Sequence, residues 1–287
     1  MDLDRRNPVK ENDEGKEVRA EERGPKLGWK LFGLLMLAGV LASLATVPYA
    51  MSLSGGSAEI PVWVFIAGTV IQGIILTAIA AGLGLWLGAK VGLGAWDIRS
   101  LLAGENGAGR RIVRSLPLAL LLGVVGAVVV QLIGWGFMTV SPGSVPGMED
   151  VEMWAAWEGF LVAAGAGISE EIWLRLGAMG ILAWLLARAA KLVGGGEPDG
   201  EAPAWAVWAS MAGAALLFGA AHLPLATSLG DGLTFAYAAN VISMNALLGL
   251  VFGWLYWKRG LIAAMAAHFS TNIVLKVVLV AAMPVFT

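Results

Sequence analysis

At 287 residues, 58% of them hydrophobic and with a mean hydropathy of +0.75, the chain is more apolar than a soluble domain needs for its core, which points to a polytopic membrane protein. A formal net charge of −2 carries no basic surplus, and no nucleic-acid partner is expected. Cysteine is absent, which excludes disulfides, thiolate nucleophiles, thiolate metal sites and iron–sulfur ligation.

In chain order, residues 1–27 mix Lys, Arg, Asp and Glu with few large apolar side chains, and read as a disordered cytosolic tail that cannot bury enough surface to offset ordering entropy. Residues 28–287 then form one transmembrane domain. A spanning helix needs roughly 20 apolar residues, and suitable runs fall at 30–51, 60–88, 115–140, 153–187, 205–223, 236–257 and 260–283. Leu, Ala and Gly dominate these runs and strand alternation is absent, so the expected fold class is all-α with about seven transmembrane helices.

Basic residues sort to alternate connections: the tail, the connector 89–114 (Lys90, Arg99, Arg110, Arg111, Arg114), Arg188 with Lys191, and Lys258 with Arg259. The loops near 52–59, 141–152 and 224–235 carry the acids Glu59, Glu149, Asp150 and Asp231 but no Lys or Arg. By the positive-inside rule the amino terminus is cytosolic and the carboxyl terminus outside, in a membrane expected to be a prokaryotic inner or plasma membrane. Two cations escape this sorting: Lys276, placed to snorkel, and Arg175, which needs a partner. Trp96, Ile98, Leu101 and Leu102 give the basic connector an apolar side for the headgroup region, so membrane lipids are expected partners. Gly104, Gly107 and Gly109 ahead of Arg110 and Arg111 lack the GK[ST] ending and preceding strand of a phosphate loop, and the connector reads instead as lying along anionic headgroups. Gly84 with Gly88, and Gly249 with Gly253, have the spacing for close helix approach within the bundle.

Rare polar groups then appear inside apolar runs, where a lipid-facing charge would cost kilocalories. The fourth run carries EEIWLR, and Glu171 and Arg175 stand one helical turn apart, close enough to pair. Glu170 lacks that partner; desolvation penalises its ionised form and suits it to accept a proton. The bland alternative is a structural ion cluster of both carboxylates with Arg175. The fifth run contains FGAAH, with Phe218 and His222 on one face and Pro224 ending or kinking the helix. A lone histidine in a bundle is more often an interhelical hydrogen-bonding group than a catalyst. The seventh run contains HFSTN, setting His268 and Asn272 one turn apart as two donors suited to a developing oxyanion, or as polar glue. Asn240, Ser243 and Asn245 in the sixth run are assigned to glue between helices.

The ordered set EExxxR, FxxxH and HxxxN resembles the CAAX protease and bacteriocin-processing family of intramembrane glutamate proteases, over about residues 115–283. That resemblance implies peptide hydrolysis in the membrane without a cofactor. Glu170 with His222 would activate water, His268 with Asn272 would form the oxyanion site, and Glu171 with Arg175 would support the helix. The implied substrates range from prenylated carboxyl-terminal tails to sorting-signal tails, processed peptides and other membrane proteins. One departure stands out: Leu176 follows Arg175 where relatives often have Gly, and Gly177 comes one residue later. A zinc peptidase using Glu170, His222 and His268 is the runner-up enzyme, but HExxH is missing. A proton-coupled transporter would also place Glu, His and Arg in helices, yet no pair of Gly- or Pro-broken helices recurs in two halves. A catalytically silent scaffold is the third alternative.

Overall fold

The computed structural model describes residues 13–53, 61–141, 154–194, 201–228 and 232–282, and among them every regular element is helical. Seven helices are long and apolar enough to cross a membrane: Gly28–Leu53, Val62–Val91, Ala108–Val140, Ala156–Leu192, Ala204–Thr227, Phe235–Arg259 and Leu261–Ala281. The chain is therefore an all-α integral membrane protein. The acid-bearing loops with Glu59, Glu149, Asp150 and Asp231, and most of the Gly-rich stretch at 194–200, lie outside the described residues.

Two boundaries differ from expectation. Residues 1–12 of the tail lie outside the described residues, but from Asp13 a helix runs unbroken to Leu53. Residues 13–27 are rich in Glu, Lys and Arg, good helix formers that offset Gly15, Gly24 and Pro25, and an already formed spanning helix spares them the cost of nucleation. The third helix starts at Ala108, seven residues ahead of its apolar run, because Arg110, Arg111 and Arg114 are also helix formers and Gly107 caps the start with a left-handed φ of 79°.

The seventh helix is the centre of the bundle, packed against the third, fourth and sixth, while the first lies on the fourth and the fifth on the sixth. Small residues permit these approaches. At Gly123 in the third helix a Cβ would overlap Ser270 and Ala267 of the seventh, and there Ser270 and Thr271 donate to the carbonyls of Leu120 (3.0 Å) and Gly123 (2.9 Å). Such cross-helix bonds fix one helix against another where water offers no alternative. Gly84 seats against the Leu176 backbone, and Gly249 and Gly253 seat against Ala215 and Met211 of the fifth helix, so both glycine pairs pack inside the bundle. Leucines, valines and isoleucines such as Leu37, Ile71, Leu121 and Leu216 stay exposed on the outside, as a lipid-facing surface requires.

The expected glue in the sixth helix does not form. Ser243 donates to the carbonyls of Ala239 and Asn240, and Asn245 to that of Val241, all within their own helix, while the buried Asn240 Oδ1 has no hydrogen-bond partner among the described residues. Short polar side chains can satisfy themselves on the preceding turn, as Ser243 and Asn245 do.

Candidate active site

The fourth span is not a uniform α-helix. It is α-helical from Ala156 to Glu171, π-helical from Ile172 to Met179, and α-helical again from Gly180. A π turn accommodates an extra residue, and such bulges often mark functional sites. The bulge starts directly after the paired glutamates and contains Arg175, Leu176 and Gly177. The one-residue offset of Gly177 thus falls in the stretch that can absorb it, and Gly177 lies hard against Ala80 of the second helix, where a Cβ would come 2.7 Å from the Ala80 Cβ.

Arg175 and Glu171 meet as expected, Nε to Oε2 at 3.2 Å, both essentially inaccessible to solvent. The approach has ion-pair distance without hydrogen-bond alignment, and the guanidinium Nη1 and Nη2 have no acceptor among the described residues. Their charge rests against two aromatic faces, 4.9 Å from the Phe218 centroid and 5.4 Å from that of Phe252. A desolvated cation over such rings gains up to about 2 kcal/mol per contact.

His268 occupies the centre. Its Nδ1 lies 2.8 Å from Glu171 Oε1 and, facing a carboxylate, carries the proton of that bond. The other nitrogen, Nε2, then points to Glu170 Oε2 at 3.8 Å. Phe252 stacks on the imidazole at 4.8 Å and 18°, and Phe218 meets it edge-on at 5.6 Å. A ring pinned by a carboxylate on one nitrogen and by aromatic walls on its faces has one orientation and one free nitrogen, the arrangement that sets up a histidine for proton handling.

His222 lies against Phe218 at the end of its helix, as the spacing and Pro224 imply. Pro224 cannot donate the next helical bond, so the fifth helix ends at Ala221 with His222 as its cap, and a short helix, Leu223–Ser228, follows. The ring turns back so that Nδ1 donates to the Phe218 carbonyl at 2.9 Å, leaving Nε2 unused, and it packs edge-on against Phe218 at 4.9 Å. Both imidazoles therefore share the Phe218 wall. Among the described residues the ion pairs of Glu170 and Glu171 with a histidine are made by His268, and none within 4.0 Å joins Glu170 to His222. The backbone break at Pro224 turns the His222 ring onto its own helix, which sequence spacing does not reveal.

Asn272 is buried, 7% exposed, and its amide makes no hydrogen bond among the described residues. An unengaged amide inside a membrane bundle, one turn from His268, is available to a ligand. Glu170 is the member that reaches open space. Its side chain keeps a quarter of its accessibility and lines a cavity of about 530 Å³ bounded by Ser169 and Trp173 on its own helix, Thr46 and Tyr49 of the first and Gln72 of the second. That is the volume range of ligand sites.

Among the described residues no three His, Cys, Asp or Glu side chains are grouped to hold a metal ion, so Glu170, His222 and His268 do not form the three-ligand set that the zinc alternative needs. Lys276 does not snorkel freely: Nζ donates to Tyr49 Oη at 2.9 Å over the Tyr49 and Trp154 rings, and Trp154 Nε1 donates to the Lys276 carbonyl. This clasp ties the ends of the first, fourth and seventh helices together, next to a second π segment, Val274–Val278. Phe252 and the first- and second-helix walls of the cavity escaped sequence reasoning. Phe252 carries no polar marker, and no spacing rule links spans so distant in sequence.

Residues 152–274 match a family model described as type II CAAX prenyl endopeptidase Rce1-like. The match spans EEIWLR, FGAAH and HFSTN and stops near the end of the last. No curated protein matches the chain. No solved structure matches it either.

Proposed function

We propose that the chain, which belongs to the CAAX protease family through residues 152–274, is an intramembrane endopeptidase of the glutamate type acting on a peptide tail presented at the membrane. The observation that carries this reading is the placement of His268 between two adjacent carboxylates, one sealed and one open to a cavity.

Glu170 takes the proton of a water lodged between its carboxylate and the imidazoles, and that water attacks the substrate carbonyl carbon. Glu170 Oε2, buried and without a hydrogen-bond partner among the described residues, faces His268 Nε2 at 3.8 Å, beyond a direct bond, so the pair is open to a reacting group that engages both. His222, with Nδ1 held by the Phe218 carbonyl and Nε2 free, is the second imidazole assigned to this water. Asn272 donates its amide to the oxygen that becomes negative, and His268 joins it through Nε2. On collapse, the proton held by Glu170 passes to the leaving amine. Glu171, Arg175 and Phe218 act through His268 rather than on substrate.

The substrate class follows the family, a carboxyl-terminal tail with a prenyl or comparable lipid anchor. Basic residues at alternate connections put the amino terminus in the cytosol and the carboxyl terminus outside. The test is cleavage of a prenylated carboxyl-terminal peptide by the chain reconstituted in vesicles. Glu170→Gln and His222→Ala are each expected to lose cleavage while inserting and purifying normally; full turnover in either variant overturns its assignment.

A further inference from the structure

We propose that a basic cavity at the connector end of the bundle binds the phosphate of an anionic phospholipid. The cavity holds about 290 Å³ and is walled by Trp96 of the short helix Trp96–Leu102, by Arg111 and Arg114 at the start of the third span, and by Lys258 and Arg259 at the end of the sixth. Four cations around one hollow repel one another, and local acids offset them only in part. Arg111 pairs with Glu105 at 3.2 Å on the exposed side. Asp97, the acid in the wall, is buried and turned to the seventh helix, where Oδ2 accepts from the Ile262 amide at 2.9 Å. Lys258 lies over the Trp257 ring at 3.3 Å. Arg114 and Arg259 have no acidic partner within 4.0 Å among the described residues, and no acid stands in the first turn of the third helix. An anion bound between them relieves the repulsion and gains charge-assisted hydrogen bonds from guanidinium donors.

Depth and surroundings choose a lipid over a soluble phosphate. The cations sit where two spans end, at the level at which hydrocarbon gives way to headgroups. The short helix beside the cavity exposes Trp96, Leu101 and Leu102, an apolar edge suited to the interface. Trp96 also borders a second cavity of about 630 Å³, lined mainly by apolar groups including Trp29, Phe32, Leu85 and Trp86, which offers an acyl chain a seat next to the phosphate.

Occupancy would brace the site helix. Lys258 and Arg259 lead directly into Gly260, whose φ of 100° and contact with Asp97 leave no room for a side chain. The same Asp97 caps the helix that carries His268 and Asn272. A lipid phosphate therefore clamps the short helix, the third span and the turn into the seventh.

The test measures thermal unfolding of the full chain in phosphatidylcholine vesicles containing increasing phosphatidylglycerol, with inorganic phosphate and glycerol phosphate as soluble controls. Wild type is expected to gain stability saturably with phosphatidylglycerol and not with either soluble anion. Arg114→Gln with Arg259→Gln is expected to weaken that response about tenfold, whereas Arg188→Gln, an exposed cation elsewhere, leaves it unchanged. Native mass spectrometry of detergent-purified chain, with retained phosphatidylglycerol as readout, covers the case where the double variant unfolds. An equal response in both variants, or none in wild type, overturns the proposal. Stabilisation by soluble phosphate alone overturns the lipid as ligand. None of these outcomes bears on the peptidase reading, which rests on other residues.

Discussion

Glu170 and Glu171 are neighbours in sequence and live in different media. Glu171 is sealed, with Arg175 and His268 as its partners; the Glu170 side chain lines a cavity between the first, second and fourth helices. A step of one residue rotates a helical side chain by about 100 degrees, enough to carry a carboxylate from a closed cluster to an open chamber. On the proposed reading this is a division of labour: the sealed half would orient the histidine, and the half facing the cavity would meet water and substrate. Chemistry needs both, because an imidazole without a fixed partner does not hold a water in place, and a carboxylate without space has none to hold.

Variants of each half should separate the two jobs. The largest effect is expected for Glu170→Gln, a fall of roughly 10²–10⁴-fold in kcat with an unchanged melting temperature, measured on parallel preparations in vesicles. Glu171→Ala and Arg175→Ala should each lose about 3–5 kcal/mol of stability by leaving the other charge buried and alone, read as lowered melting in detergent. Unaltered melting of both would mean that the sealed half contributes no structure. Phe252→Leu removes the stacked face on His268 and one face of the Arg175 cage, and should cost about 1–2 kcal/mol in the same melts, with kcat lowered and KM little changed.

The smallest effect belongs to Asp97. Asp97→Ala deletes the cap on the Ile262 amide and should cost about 1 kcal/mol, while Asp97→Asn keeps an acceptor there. Burial raises the Asp97 carboxyl above its ordinary value of 3.8. The folded chain therefore holds this proton more tightly than the unfolded one. Its contribution to stability is fully present below 3.8 and is lost as pH rises through the raised value. Melting measured across that range should show this component in wild type and not in Asp97→Asn.

Much of this was legible from residue order. Seven spans follow from run length and composition, and the Glu171–Arg175 contact follows from four-residue spacing on a helix that buries both ends of the pair. The partner of Glu170 was not legible. Spacing places His222 and His268 on their helices but not the rotation of each ring. Pro224 breaks the fifth helix at His222 and returns its Nδ1 to Phe218, while the π bulge after Glu171 resets the register of everything beyond it. The cavity was out of reach for a plainer reason: Thr46, Tyr49 and Gln72 come from spans with no chemical signature, and only packing brings them to Glu170.

The claim that one water answers to both Glu170 and His268 is tested most directly by a double-mutant cycle on peptide cleavage, using Glu170→Gln, His268→Ala and the pair together. Groups acting as a unit on one water are expected to be strongly non-additive, so the double variant should cleave about as slowly as the worse single one. Losses that multiply across the two positions would contradict a shared water and leave His268 acting independently of Glu170.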